Sequence, residues 1–128
     1  MVVGSGIDVV EVARIERALE RRGVRFERRV FSAAEIAECR RGPRPAREYA
    51  ARFAAKEATM KAVGTGWARG VRFVDIEALA GASGGPLRIR LRGRVAARAR
   101  ELGAARQHLS VSRDRTHAFA VVLLEADG

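Results

Sequence analysis

RFAAKEATMKAVGTG, residues 52–66, decides how the rest of the chain is read. Its alanines, Phe53, Met60 and Val63 continue an apolar pattern that begins near Ala46, and Gly64 ends it. The spacing therefore predicts one long helix over 46–63, with Tyr49, Phe53, Met60 and Val63 buried. Two charges stand out. Glu57 and Lys61 lie one turn apart, an arrangement that alone is an ordinary i,i+4 pair of roughly 0.3 kcal/mol. With Gly64 they fall along one helix face, where a carboxylate, a cation and an accessible backbone could line a single site.

Outward from this helix, the chain divides into short elements. Val2 to Val10 is apolar and β-branched, broken by Gly4 and Gly6, and reads as a strand entering a helix from Glu11 to Arg22. That helix buries Val12, Ile15, Ala18 and Leu19 and leaves its arginines on other faces. Ser32 with Glu35 is a capping-box pattern for a helix over 33–40, which RRGPRP (40–45) breaks. Val71 to Leu79 reads as a strand and GASGGP (81–86) as a turn. Leu87, Ile89 and Leu91 alternate with arginines as a half-solvated strand. A helix over 94–102 stops at Gly103, and strands at 108–113 and 117–125 pair through a short DRT connection. The fold class is α+β: a single compact domain, residues 1–128, with a mostly antiparallel sheet packed against helices.

Composition narrows the partners. A chain of 128 residues with 48% hydrophobic content can bury one core. The net charge of +10, from 25 basic and 15 acidic residues, favours an anionic partner: nucleic acid, an acidic protein or a phosphorylated small molecule. Aromatics at 5% supply few stacking platforms, which counts against a binder of single strands. No apolar run reaches bilayer length and no leader pattern opens the chain, so neither membrane insertion nor export is expected. The lone Cys39 excludes an internal disulfide and fits a reducing cytosol, hence a cytoplasmic protein.

Three constellations could carry chemistry. Asp8 ends an apolar strand, where a charge is costly unless it is exposed, paired or bound to a cation; it also suits a helix N-cap. If Asp8 and Glu57 meet, the two carboxylates suit Mg²⁺, which completes its shell with water and phosphate oxygens. Lys61 with Gly64, Thr65 and Gly66 could approach a phosphate, although a helix stop explains the glycines equally well and no Walker loop is present. HLSVS (108–112) puts His108, Ser110 and Ser112 on one strand face, as phosphate or nucleotide contacts or as the wet side of an edge strand. No GxSxG elbow supports a serine hydrolase.

GIDVVEVARIERAL (6–19), RFAAKEATMKAVGTG (52–66) and HLSVSRDRTHAFAVVLLE (108–125) together resemble the holo-acyl-carrier-protein synthases, the small 4′-phosphopantetheinyl transferases. VRFVDIE (71–77) and the GGP turn extend the resemblance over nearly the whole chain. It implies a phosphopantetheinyl transferase fold that moves 4′-phosphopantetheine from coenzyme A to a serine of an apo acyl carrier protein of fatty-acid or polyketide synthesis, releasing 3′,5′-ADP. Asp8 and Glu57 are then the Mg²⁺ ligands, and Lys61 completes the catalytic set. Coenzyme A is held by Arg52, Lys61, Gly64, Thr65, Gly66, Pro86, His108, Ser110 and Ser112. The acidic carrier docks on Arg14, Arg21 and Arg22. A homotrimer with sites at subunit interfaces is also implied, and a nucleic-acid partner is not. One departure stands out: the pattern H-x-S-x-S-H ends here in Arg113, which cannot act as a base but can hold phosphate. A basic nucleic-acid module and a family member without activity are the competing readings.

Overall fold

A computed structural model describes residues 1–64 and 70–128. Its elements are β1 (Val2–Glu11), α1 (Val12–Arg22), α2 (Val24–Val30), α3 (Ala33–Arg41), α4 (Pro45–Val63), β2 (Ile76–Leu79), β3 (Arg88–Leu91), α5 (Gly93–Glu101), β4 (Arg106–Arg113) and β5 (His117–Glu125). α4 is the axis of the molecule. Its apolar residues run round the helix, and most of its circumference is buried, with Tyr49, Phe53, Met60 and Val63 in the core.

The main sheet has the order β1-β5-β4 and is antiparallel throughout. Along β5, Ala118, Ala120, Val122 and Leu124 are buried, whereas Phe119, Val121 and Leu123 face outward, the period-2 alternation of a strand. The buried face lies on α4. Gly4 and Gly6 make that approach possible: a Cβ on Gly6 would stand 1.9 Å from the Ala58 carbonyl oxygen, and one on Gly4 2.3 Å from that of Ala62. Strand backbone therefore touches helix backbone. β2 and β3 form a second antiparallel pair, with Ile76 opposite Leu91.

Ser32 and Glu35 form the expected capping box at α3, each side chain accepting from the other's backbone N–H. Glu35 is also fully buried and accepts from Lys56 Nζ of α4 at 2.7 Å and from the Ala78 N–H at 3.0 Å. Removing either member of such a buried pair costs about 3–5 kcal/mol, because the other charge is left alone. Lys56 Nζ further donates to the carbonyls of Phe73 and Ile76. That cation accounts for one difference from the sequence pattern. Phe73–Asp75 is a single 3-10 turn before β2, with its carbonyls turned toward Lys56, so the expected strand over 71–79 is confined to Ile76–Leu79. A second difference is α2, an arginine-rich helix that anchors its inner side chiefly with Phe26 and Val30. Gly23, at φ 53, separates it from α1.

Candidate active site

Strand geometry brings Asp8 to α4. Gly4, Gly6 and Asp8 share the inward face of β1, and after two glycines that seat the strand on the helix, Asp8 is the first side chain to meet it. Its Oδ1 accepts from Lys61 Nζ at 3.0 Å, and the same ammonium donates to the Ile7 carbonyl at 3.0 Å. Asp8 is thus no helix cap. The N-cap of α1 is Glu11, and the first helical N–H, of Val12, donates to the Thr116 carbonyl in the β4–β5 turn at 2.9 Å.

Glu57 stands one turn before Lys61 on α4 and is partly buried. Burial and then the Asp8 carboxylate push its pKa above the ordinary glutamate value of 4.5, against the opposing pull of Arg14 and Lys61. Two carboxylates in a site with a solvent-facing side offer the oxygen donors that suit a hard divalent cation. Among the described residues no cluster of three or more His, Cys, Asp or Glu side chains offers a closed metal cage. The pair fits a Mg²⁺ ion that keeps open positions for water and phosphate.

Glu57 lines a cavity of about 350 Å³ with Arg14, Phe26, Phe53 and Phe73. Arg14 lies 5.5 Å above the centre of the Phe53 ring, which holds a positive group beside the carboxylates. Arg21 and Arg22 line a neighbouring groove of about 490 Å³ with Arg25, Phe26 and Arg29 of α2. Arg22, Phe26 and Arg29 border both spaces, so a basic surface with an aromatic floor runs from Glu57 over α1 and α2. Sequence reading missed Arg25, Phe26 and Arg29. The signal was the i,i+4 pair Phe26 and Val30 just after a glycine.

A separate cleft of about 470 Å³ gathers Arg52, Pro86, Ser110 and Arg113 with Glu38 and Glu48. Arg52 reaches it from a different side of α4 from Glu57, five residues and about 140° away. Its guanidinium is already engaged: Nη2 donates to Glu38 at 2.6 Å and Nη1 to Glu48 at 3.2 Å. Arg113, the departure from the family pattern, makes a two-pronged pair with Glu48 through Nε and Nη2, both at 3.1 Å. His108 and Ser112 do not line this cleft; His108 lies 3.1 Å from Glu125 and Ser112 faces out from the sheet. Gly64 ends α4 in a left-handed conformation at φ 71, while Thr65 and Gly66 lie outside the described residues. Within one chain, then, Asp8, Glu57 and Lys61 form one group and Arg52, Pro86 and Ser110 another.

Known proteins match this chain along nearly its full length. The chain is 50% identical over 127 residues to a holo-acyl-carrier-protein synthase of Alkalilimnicola ehrlichii, with 98% of each covered. The fold matches the holo-acyl-carrier-protein synthase of Neisseria meningitidis with a TM-score of 0.84 at 34% identity, over 98% of this chain and 99% of that one. It also matches that of Bacillus anthracis, solved in complex with coenzyme A (3′,5′-ADP), with a TM-score of 0.79 at 35% identity and 99% coverage of both. Residues 4–122 fit the model of the 4′-phosphopantetheinyl transferase superfamily, and the chain belongs to that superfamily, among its holo-acyl-carrier-protein synthases.

Proposed function

We propose that the protein transfers 4′-phosphopantetheine from coenzyme A to a serine hydroxyl of an apo acyl carrier protein, with Mg²⁺ dependence and release of 3′,5′-ADP. The observation that carries this reading is the meeting of Asp8, Glu57 and Lys61 across β1 and α4 in a chain of this family. Asp8 and Glu57 would hold Mg²⁺, which when bound supplies neutralising charge at the pyrophosphate of the donor. Glu57 is the candidate acceptor for the serine proton, directly or through a water, since a raised carboxylate pKa brings a base nearer its working range. Lys61, more than half exposed, can turn from Asp8 toward the phosphoryl oxygens and stabilise the charge that develops there. The serine oxygen attacks the β-phosphorus, the bond to the bridging oxygen breaks, and 3′,5′-ADP leaves with that oxygen.

The cleft of Arg52, Pro86 and Ser110 is the proposed seat of coenzyme A, with Gly64 to Gly66, His108 and Ser112 contributing to the donor site. Arg14, Arg21 and Arg22 receive the acidic carrier. The protein is assigned to the cytoplasm; no helix among the described residues is long and apolar enough to cross a membrane. A homotrimer would join the two groups of residues across subunits. Support for such association comes from the outer sheet face, where Ile7, Val9, Phe119, Val121 and Leu123 are between 38% and 61% exposed in the single chain.

The test is to incubate the protein with coenzyme A, Mg²⁺ and an apo acyl carrier protein, and to follow the carrier's intact mass with and without chelator. A chelator-sensitive gain of one phosphopantetheine group is expected, and Asp8→Ala and Glu57→Ala should each abolish it with the fold retained. Turnover in either folded variant would remove the metal assignment. Absence of any gain, with coenzyme A still bound, would favour a carrier-binding homologue without activity.

A further inference from the structure

Four charged side chains cross the cleft that holds Arg52 as one continuous chain of ion pairs. Arg113 on β4 grips Glu48 on α4, Glu48 accepts from Arg52, and Arg52 donates to Glu38 on α3. Glu38 then leaves the ion-pair series and accepts two backbone N–H bonds, from Ala80 at 2.9 Å and Gly81 at 3.0 Å. Those amides open the turn that runs to Pro86. Gly81 and Gly84 have φ of 80 and 69, so this turn adopts backbone conformations that side-chain packing does not enforce. Nothing lies within 4 Å of where a Cβ on either glycine would stand. The turn forms one wall of the cleft, with Gly81, Gly84, Gly85 and Pro86 all facing it.

A glycine-rich wall with few packing neighbours needs an anchor if its backbone is to present a fixed surface to a ligand. We infer that Glu38 is a positioning residue for the donor site: through its two backbone hydrogen bonds it fixes the Gly81–Pro86 wall, and the Arg52, Glu48 and Arg113 side chains hold its carboxylate in place. The inference rests on the reading of this cleft as the coenzyme A seat. Burial by itself would raise the pKa of Glu38, but the Ala80 N–H and Arg52 outweigh it and hold the carboxylate below its ordinary range, so the acceptor stays ionised at neutral pH. The arrangement also gives Arg113 a task that a neutral side chain could not perform. Its fork spans both oxygens of Glu48, the geometry that guanidinium makes and imidazole does not.

The experiment measures coenzyme A binding by calorimetry and both Michaelis constants of transfer, for the wild type and Glu38→Gln. The amide preserves size but loses the charge that holds Arg52 and one of the two acceptors for the turn. The expected result is a rise of about tenfold or more in Kd and KM for coenzyme A, the scale of loss that follows when a ligand wall shifts by about 1 Å. KM for the carrier protein should stay within about twofold, because the basic surface of α1 and α2 lies in other cavities. An unchanged Kd for coenzyme A in folded Glu38→Gln would overturn the assignment. So would a parallel rise in both KM values, which marks general loosening. Should Glu38→Gln fail to fold, Arg113→Gln at the more exposed end of the chain replaces it, with a few-fold rise in the same Kd expected and no rise overturning the inference. A wild type that binds no coenzyme A would instead defeat the functional reading of the cleft.

Discussion

Replacing Gly6 by alanine tests whether strand and helix backbones must touch for this site to exist. The added Cβ would lie 1.9 Å from the Ala58 carbonyl oxygen and 2.9 Å from both the Ala58 carbonyl carbon and the Ala62 nitrogen. Every one of those atoms is backbone of the central helix, so no side chain can swing aside. Ordinary contact begins near 3.4 Å, so β1 would have to retreat by about 1.5 Å at this point. Overpacking a core commonly costs 1–3 kcal/mol, and a backbone-on-backbone collision belongs at the upper end, about 3 kcal/mol. For a domain of this length each kcal/mol moves Tm by roughly 3–5 °C, so thermal unfolding followed by circular dichroism should show a fall of about 10–15 °C. The functional loss should be larger than stability alone explains. Asp8 is two residues along the same strand face, and a shift of this size pulls its carboxylate from Lys61 and Glu57, with kcat falling on the order of 100-fold at a temperature where the variant is folded. A Tm within about 3 °C of the wild type, with turnover unchanged, would refute the claim that the glycines set the site.

Three further outcomes follow from other parts of the molecule. Reversing Arg14, an exposed residue beside Glu57, to Glu should raise KM for the carrier by roughly tenfold, more than it raises KM for coenzyme A, with the difference shrinking at high ionic strength; equal effects on both substrates would assign Arg14 to the donor site. If the proposed trimer forms, Phe119→Glu on the outer sheet face should convert it to monomers by sedimentation equilibrium and abolish transfer; a wild type that is monomeric and active would remove the interface site. Glu27 is held below its ordinary value of 4.5 chiefly by its hydrogen bond from Arg40, with Tyr49 adding another against the penalty of burial. A carboxylate with a depressed folded pKa contributes stability that is complete above its unfolded value and lost as pH falls through the folded one. Wild-type Tm should therefore drop as pH falls below about 4.5, whereas Glu27→Gln should be about 2 kcal/mol less stable at pH 7 with a shallower acid decline; parallel acid profiles would show that another group controls it.

The two clefts give the charge of the chain distinct uses. Among the described residues, the spaces beside Glu57 are lined by Arg14, Arg21, Arg22, Arg25 and Arg29 with no carboxylate other than Glu57, an open basic surface over α1 and α2. Around Arg52, that guanidinium and Arg113 are paired with Glu38 and Glu48 and hold elements together, while Arg41 lines the same cleft. The first arrangement suits long-range attraction of an acidic partner, and the second suits fixing a wall at short range. A single net charge of +10 conceals that division.

Several features were legible in the sequence because they rest on local rules. The 3.6-residue pattern and Gly64 define α4, Ser32 and Glu35 define the start of α3, and strict alternation defines β5. Family resemblance then singled out Asp8 and Glu57, residues whose types and spacing fit either an ordinary cap and surface pair or a metal site. Only the tertiary structure brought the pair together, because contact between residues 49 positions apart depends on how closely β1 can approach α4. The same holds for the chain from Arg113 to Gly81. Glu48 and Arg52 are visible as an i,i+4 pair, but Glu38 and Arg113 come from α3 and β4 and join them only when the elements pack. Local periodicity encodes which residues face inward. Which inward charges meet is set by backbone approach, and here that approach depends on two glycines with no side chain to hold strand and helix apart.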